Sequence, residues 1–347
     1  MTREFRYIAG LDLLRFLGAL SVIGLHLGSA AAFKDAGLAR FHVMVSGGTG
    51  VTLFYVISGF LITSLISQEV RQSGAFDIKG FYLRRSLRIF PLYYFALALY
   101  AACHLLGIQK LDGSSLLYAA AYSYNFIPTR LYDGWLGSFH TLATEEHFYL
   151  VYPLLWGLCL RQRWPMWIVL VTLFLLTLVS PVLCQPFQSE YMVGRWTFNA
   201  WGPILIGGLF AEIYAMAGDR HTGRQYFLVV FVLLFASQAL VANALILRIS
   251  FGFLILHLAC NQDHRLIAAL GTPAVRYLGS ISYGMYVWQS FIISTGASRR
   301  LIHDPWLAFV AVMLLSALSW HFIERPLASI RHRIRPRKPA IAADAQA

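Results

Sequence analysis

Charged residues are scarce in this sequence. Asp, Glu, Lys and Arg together make up 13% of the 347 residues, whereas hydrophobic residues make up 58%. Soluble domains carry roughly 25% charged residues. The scarcity of charge therefore excludes an ordinary soluble domain and predicts an all-α polytopic membrane protein, for which we expect membrane lipids and no nucleic acid as partners.

Cysteine is scarce as well. The four cysteines lie in or beside apolar segments and show neither the spacing of metal ligands nor that of a disulfide-rich secreted domain. We expect no metal site and interpret them as small core residues. A cleavable signal peptide is also not expected, because the first apolar stretch is long and contains Arg15. That stretch should remain as the first helix.

Ten apolar stretches are long enough to cross a bilayer, judged with a window of about 20 residues. These predicted spans lie near residues 9–32, 48–67, 89–108, 142–160, 165–184, 197–217, 226–243, 244–260, 277–297 and 305–323. The segment from Leu116 to Ile127 is shorter, rich in Tyr and Ser, and followed by Pro128. We interpret it as an interfacial or re-entrant piece at the outer face.

The basic residues indicate the orientation, because short cytoplasmic loops collect Lys and Arg. With ten spans and a cytoplasmic N-terminus, 19 of the 28 Lys and Arg residues lie in cytoplasmic loops and eight in outer loops. The sequence thus predicts that both termini are cytoplasmic, that residues 1–328 form a transmembrane domain, and that residues 329–347 form a basic, disordered tail. Topology and attraction to anionic lipid explain most of the net charge of +12.

Two ionisable residues interrupt the first span. Arg15 and His26 are 11 residues apart, so both side chains can face one cavity at levels about 16 Å apart along the helix. Ionisable side chains at membrane depth are costly and usually mark a functional site. The alternative is an arginine that reaches the headgroups and a histidine that a neighbouring helix satisfies.

Two further clusters are candidates for chemistry. Glu145 and Glu146 lie at the outer end of the fourth span, where one of them could orient His26 as a base; capping of the helix start is the alternative. Arginine forks match phosphate oxygens, so a cytoplasmic arginine cluster is suited to a polyphosphate, although it could also anchor lipid. This cluster comprises Arg84, Arg85 and Arg88.

Six motifs occur in the order seen in the integral-membrane acyltransferase-3 family. They are the Arg15-to-His26 spacing, Phe54-Tyr-Val-Ile-Ser58-Gly59-Phe-Leu-Ile62, Arg84-Arg85-Ser-Leu-Arg88-Ile-Phe-Pro91-Leu-Tyr93, Glu145-Glu146-His-Phe-Tyr-Leu-Val-Tyr-Pro153, Ile281-Ser-Tyr283-Gly-Met-Tyr286-Val-Trp288 and Glu324-Arg325-Pro326. The sequence resembles this family from about residue 5 to residue 328. The family includes bacterial acetylases of O-antigen, exopolysaccharide and nodulation factors.

The chain departs from the family pattern at two places. Family members often have Trp-Ser-Leu-Ser-Val-Glu-Glu-Gln where this chain has the segment from His140 to His147, and Gln289 stands where a histidine is common. These differences concern the acceptor more than the type of reaction. We interpret the small residues in Gly47-Gly48, Ser58-Gly59 and Ser282-Tyr283 as sites of close helix packing.

The resemblance implies transfer of an acyl group, most often acetyl, from cytosolic acetyl-CoA to a hydroxyl of an envelope or exported glycan. It places the protein in the bacterial inner membrane, with acyl-CoA and a glycan or lipid-linked sugar as partners. Acetyl-CoA is then a substrate, and no permanently bound cofactor is expected. The implied donor-binding residues are Arg15, Arg84, Arg85 and Arg88, and Arg15 is also assigned to the catalytic group. His26 would be the general base or acyl carrier, with Glu145 or Glu146 orienting it.

A proton-coupled exporter of a glycan or small molecule is the competing interpretation. Arg, His and Glu at membrane depth would then form a proton relay. Such transporters are commonly built from internal repeats, and the Arg15-to-His26 pattern has no second copy in the sequence. The arginine cluster also suits a nucleotide-bearing donor better than a transported proton.

Overall fold

The computed structural model describes residues 7–28, 34–36, 38–217, 224–293 and 304–333. These residues form a helical bundle. The helices are α1 (Leu11–His26), α2 (Ala39–Val45), α3 (Gly47–Ser73), α4 (Ile78–Leu105), α5 (Gly113–Ala120), α6 (Ser138–Gln162), α7 (Met166–Leu183), α8 (Thr197–Ala200), α9 (Gly202–Ala217), α10 (Tyr226–Ala236), α11 (Ala244–Cys260), α12 (Arg265–Ala269), α13 (Pro273–Ile293), α14 (Pro305–Ser319) and α15 (Arg325–Arg333). A π-helical turn, Trp320–Glu324, joins α14 to α15.

Four helical segments of the described chain are long and apolar enough to cross a membrane. They are Gly47–Ser73, Ile78–Leu105, Met166–Leu183 and Pro305–Ile330. Each of the ten predicted spans overlaps a helix, so their helical character is confirmed. A membrane crossing by all ten, and a cytoplasmic position of both termini, stay predictions.

The segment Leu116–Ile127 contains no helix of spanning length. Helix α5 has eight residues and is therefore about 12 Å long, against roughly 30 Å of hydrocarbon. The Asp112 side chain caps its start by accepting a hydrogen bond from the Ser114 backbone N–H at 2.7 Å. Tyr122 follows with a positive φ of 53° and stacks on Tyr93 of α4 at a centroid distance of 4.0 Å. The segment is thus a short helix and a turn packed against α4.

Helices α3 and α9 approach to backbone contact. A Cβ atom at Gly59 would lie 1.8 Å from the Ile204 carbonyl oxygen, and one at Gly207 would lie 2.1 Å from the Val56 carbonyl oxygen. Such distances leave no room for a side chain larger than hydrogen. The interpretation of Gly59 as a close-packing residue is therefore confirmed.

Hydrogen bonds fix α6 parallel to α3. Tyr55 donates to the Thr141 carbonyl oxygen at 3.1 Å, and eight residues further along α3 the hydroxyls of Thr63 and Tyr152 are 2.7 Å apart. Helix α1 runs the other way, because Gly50 lies against Gly18 while Gly47 lies against Leu25. The N-terminal ends of α3 and α6 and the C-terminal end of α1 therefore lie at the same end of the bundle.

The turn between α3 and α4 marks the opposite end. Gly74 ends α3 in a left-handed conformation with φ 70°, and the Asp77 carboxylate caps α4 by accepting from the Gly80 N–H at 3.0 Å. At the C-terminus, α15 continues to Arg333, five residues into the predicted tail. Residues 334–347 of that tail lie outside the described residues, as do 29–33 and 294–303 at the ends of two predicted spans.

Candidate functional site

A pocket opens between helices α1, α3, α4, α6 and α13. It contains about 710 Å³ of empty space, part of which is open to the surroundings. Its walls bring together five of the seven residues that the sequence singled out: Arg15, Arg85, Arg88, Glu145 and Glu146. Two of the predicted residues, Arg84 and His26, are not among the residues that line it.

Arg15 enters the pocket wall from the first turns of α1. Its Nη1 atom lies 3.7 Å from Oδ1 of Asp12, one turn earlier on the same helix. The other carboxylate oxygen of Asp12 accepts a hydrogen bond from the Tyr7 hydroxyl at 2.7 Å. Burial and the adjacent carboxylate raise the pKa of Tyr7 to about 12, so it keeps its proton near neutral pH. Tyr7 thus orients the Asp12 carboxylate, which in turn forms an ion pair with Arg15.

Glu145 is the best-connected carboxylate of the pocket. Its Oε1 atom accepts hydrogen bonds from the hydroxyls of Ser58 on α3 and Tyr149 on α6. The guanidinium of Arg85 lies over the ring of the same tyrosine, 3.9 Å from its centroid. Tyr149 therefore joins the acidic and the basic side of the pocket through its hydroxyl and its ring.

Glu146 contributes a buried oxygen atom with no partner. Its Oε1 atom has no hydrogen bond to any other described residue, although the residue lines the pocket. Leaving a buried acceptor unsatisfied costs about 1–3 kcal/mol, more for a charged group, so such an atom normally meets water or a ligand. Glu146 is thus available to a molecule bound in the pocket.

Arg84 is separated from the other two arginines of its cluster. It points to the α3–α4 turn, where its Nη2 atom lies 3.9 Å from Oε2 of Glu69. The other oxygen of Glu69 accepts from the Asp77 backbone N–H at 2.9 Å. Arg84 points about 100° away from Arg85 and lies one turn before Arg88 on α4, nearer the α3–α4 turn. This position explains why Arg84 reaches Glu69 while the other two arginines line the pocket.

His26 is the last residue of α1 and is half-buried. It lies about 16 Å further along the helix axis than Arg15, at the end of the bundle where α6 begins. The sequence placed Glu145 or Glu146 beside His26, whereas the structure places both in the pocket that Arg15 lines. The register explains this, because Ser58 of α3 meets Glu145 while α1 and α3 run antiparallel.

Several pocket residues had no role in the sequence interpretation. Ser58 and Tyr283 were assigned to helix packing, and Tyr149 and Tyr286 were noted only as parts of motifs. Tyr283 donates to the Ile89 carbonyl oxygen at 3.0 Å and so ties α13 to α4. Tyr149 could have been found, because it lies four residues after Glu145 and thus on the same helix face.

In the described part of the chain, no group of three or more His, Cys, Asp or Glu side chains is arranged to hold a metal ion. The pocket instead combines three guanidinium groups with two carboxylates. It is therefore equipped for an anionic ligand and for hydrogen bonding to polar groups. Its tyrosines and Phe54 add ring surface.

Comparison with known proteins gives a consistent result. The acyltransferase-3 family model, described as "Acyltransferase domain", matches residues 8–323. "Putative peptidoglycan O-acetyltransferase YrhL" of Bacillus subtilis (strain 168) is 27% identical, over 94% of this chain and 56% of its own length. "Peptidoglycan O-acetyltransferase OatA" of Listeria monocytogenes serovar 1/2a (strain ATCC BAA-679 / EGD-e) is 24% identical, over 93% of this chain and 56% of its own length.

A shorter match, "Putative O-acetyltransferase SACOL0978" of Staphylococcus aureus (strain COL), is 28% identical over 65% of this chain and 32% of its own length. The chain spans about half the length of the first two relatives. No solved structure matches it. Because the family match covers nearly all of the sequence, this chain belongs to the acyltransferase-3 family of membrane proteins.

Proposed function

We propose that this protein is a membrane-embedded O-acyltransferase of the bacterial inner membrane. It moves an acyl group, in the first place acetyl, from cytosolic acyl-CoA to a hydroxyl of an envelope or exported glycan. The observation that carries the proposal is the pocket in which Arg15, Arg85 and Arg88 meet Glu145 and Glu146, in a chain that belongs to an acyltransferase family.

The arginines of the pocket provide the donor site. Arg85 and Arg88 bind the phosphates of acyl-CoA, because guanidinium groups form paired, charge-assisted hydrogen bonds with phosphate oxygens. The ring of Tyr149 beneath Arg85 restricts where that fork can point. Arg84 takes no direct part, since it is engaged with Glu69 at the turn.

We assign the reaction to the end of α1 near His26, beyond the part of the pocket that Arg15 lines. The acceptor oxygen attacks the thioester carbon while His26 takes the hydroxyl proton. The new C–O bond forms, the C–S bond breaks, and the proton returns to the thiolate of CoA. A carrier role for His26 is the variant in which its imidazole holds the acyl group between two such transfers. The distance from Arg15 to His26, about 16 Å along α1, leaves room for an extended pantetheine arm between phosphates and thioester.

The names of two relatives support one acceptor within the proposed class. Both are named as peptidoglycan O-acetyltransferases, and peptidoglycan is an envelope glycan with free sugar hydroxyls. It is therefore the first acceptor to test, within the wider class of envelope and exported glycans. Membership of an acyltransferase family favours this function over the proton-coupled exporter.

Mass spectrometry of surface and exported glycans provides the test. Glycans from cells that express the protein should carry acetyl groups that are missing from cells without it. The purified chain in nanodiscs should bind acetyl-CoA, and the Arg88→Ala variant should bind it more weakly. Unchanged glycans together with no binding of acetyl-CoA would contradict the proposal and favour the exporter.

A further inference from the structure

Two loops cover the end of the bundle where α6 begins. Residues 121–137 and 184–201, here called the cap, are joined by a hydrogen bond from the Thr129 N–H to the Glu190 carbonyl oxygen at 2.8 Å. A second link runs from Nδ2 of Asn125 to Oγ1 of Thr197 at 2.9 Å. The cap lies at the same end of the bundle as His26 and opposite the turn that holds Arg84.

Arg195 is a half-buried cation that takes part in none of the described ion pairs. Its guanidinium lies over the Tyr132 ring, 4.1 Å from the centroid. Its Nη1 atom is buried and has no hydrogen-bond partner among the described residues. Buried polar atoms, above all charged ones, are normally paired, so Arg195 has the features of a residue that binds an anion.

Arg195 is next to the wall of the pocket. The Thr144 hydroxyl donates to the Arg195 carbonyl oxygen at 3.4 Å, and Thr144 directly precedes Glu145 on α6. One turn earlier on α6, Thr141 lines the pocket and shares a hydrogen bond with the Tyr286 hydroxyl. The backbone of Arg195 is therefore within about one helical turn of the pocket wall.

The cap also contains an unusual number of unused polar atoms beside aromatic rings. Buried polar side-chain atoms are normally hydrogen-bonded, yet several here have no partner within the described chain. They are the Tyr122 hydroxyl, Oδ1 of Asn125, Nη1 of Arg195 and Nε1 of Trp196, with Oγ of Ser138 at the start of α6. The rings of Phe126 and Trp196 lie 5.9 Å apart among them. Ring surface with a few converging polar groups is the composition of a small-molecule site.

We propose that the cap binds the acyl acceptor as a sugar unit that carries a carboxylate, with Arg195 as the residue that recognises it. This inference rests on the proposed function, because it names the acceptor of that reaction. An arginine fork fits a carboxylate with two parallel hydrogen bonds. Of the two arginines in the cap, Arg195 is the one with a buried nitrogen that lacks a described partner, whereas Arg130 is exposed. One such guanidinium matches one negative charge, which favours a carboxylate over a pyrophosphate. The hydroxyls of the same sugar unit then point toward the end of α1 at which His26 lies.

The test compares two acceptors on the full chain in nanodiscs at fixed ionic strength. The probes are an oligoglucuronate and its carboxyl-reduced counterpart, which differ only in the charged group. Wild type should bind the acid at least tenfold more tightly than the reduced form. Arg195→Gln should abolish that preference, while Arg130→Gln, which removes an exposed arginine of the same cap, should keep it. Arg195→Lys retains the positive charge and is measured in place of Arg195→Gln if the glutamine variant does not fold.

The same preparations are titrated with acetyl-CoA to separate the two proposals. Equal binding of both oligosaccharides by wild type, or an equal loss with Arg130→Gln and Arg195→Gln, overturns the assignment of the cap. If acetyl-CoA still binds in that case, the acyltransferase proposal stands without it. If the acid preference depends on Arg195 but acetyl-CoA does not bind, the cap binds a sugar carboxylate that is not an acyl acceptor, and the acyltransferase proposal fails.

Discussion

Ser58 and Gly59 are neighbours on α3, point about 100° apart and contact different helices. On one side the Ser58 hydroxyl donates to the Glu145 carboxylate in the pocket. On the other side Gly59 lies against the backbone of Ile204 on α9. The first contact is made by a side chain that other polar residues could replace. The second is made by backbone and leaves no space for replacement.

The two sides of α3 affect different properties of the protein: one the stability of the fold, the other binding and turnover. Backbone contact between α3 and α9 positions α3, and through it the pocket, so changes on that side should unfold the protein. The pocket side holds polar groups whose loss opens no large core cavity. Changes there should leave the fold intact and lower binding or turnover. The four variants below test this separation, beginning with the largest expected effect.

The largest effect is expected from Gly59→Ala. The added Cβ atom would lie 1.8 Å from the Ile204 carbonyl oxygen, so α3 and α9 must move apart. Overpacking of a tight core costs about 1–3 kcal/mol and occasionally more, and contact with backbone places this variant at the upper end. We expect loss of monodisperse protein in detergent and a lower thermal unfolding temperature. Gly157→Ala is the matched control, because its Cβ would lie 3.7 Å from Ile78, an ordinary contact. Equal stability of both variants would show that the contact between α3 and α9 can adjust to an added methyl group.

The two sides of α3 also show how far the sequence could predict the structure. Apolar stretches of about 20 residues indicated the helices because hydrocarbon requires satisfied backbone groups over that length. The small residues indicated Gly59 as a packing site, because small side chains let membrane helices approach each other closely. The role of Ser58 depends on the rotation and register of α3 against α6, and no pattern within α3 contains that information.

Only part of the candidate site could be predicted from the sequence, because the site also depends on how the helices are rotated against one another. Ionisable residues at membrane depth identified Arg15 and the glutamates, since their burial is costly without a function. The sequence grouped Arg84 with Arg85, whereas the structure turns Arg84 toward Glu69. Arg195 was one of the eight Lys and Arg residues assigned to outer loops, with no other role predicted for it. Its position over the Tyr132 ring depends on contact between two loops that are distant in sequence.

The second largest effect is expected from His26→Ala, at the C-terminal end of α1. A general base contributes about 10²- to 10⁴-fold to a rate, so acetyl transfer should fall by at least a hundredfold. The protein should still insert and unfold at a temperature close to that of wild type, because a half-buried side chain at a helix end is removed. Transfer of acetyl from labelled acetyl-CoA measures the rate. Activity above about a tenth of wild type would exclude His26 as base or carrier.

A third, intermediate effect is expected from Arg88→Ala, with Arg84→Ala as its matched partner. Charge-assisted hydrogen bonds are worth about 1.5–3 kcal/mol, so loss of Arg88 should raise the apparent KM for acetyl-CoA about tenfold to a hundredfold. Arg84 lies outside the pocket and pairs with Glu69. Its loss should change the KM for acetyl-CoA less than about fivefold, since exposed or partly exposed pairs contribute up to about 1 kcal/mol. A larger effect at Arg84 would place the donor phosphates at the α3–α4 turn instead.

The smallest effect is expected from Tyr149→Phe, which divides the two roles of one side chain. The phenylalanine ring keeps its place beneath Arg85, 3.9 Å from the guanidinium in the wild type, but the hydrogen bond to Glu145 is lost. A single hydrogen bond contributes about 0.5–1.5 kcal/mol net, so turnover should fall about two- to tenfold while the affinity for acetyl-CoA stays the same. Tyr82→Phe is the control, because it removes a hydroxyl that donates to the Leu150 carbonyl oxygen at 2.6 Å, away from the pocket. That control should change neither quantity. If Tyr149→Phe instead weakens binding of acetyl-CoA and leaves turnover unchanged, the hydrogen bond between Tyr149 and Glu145 supports donor binding and not the transfer step.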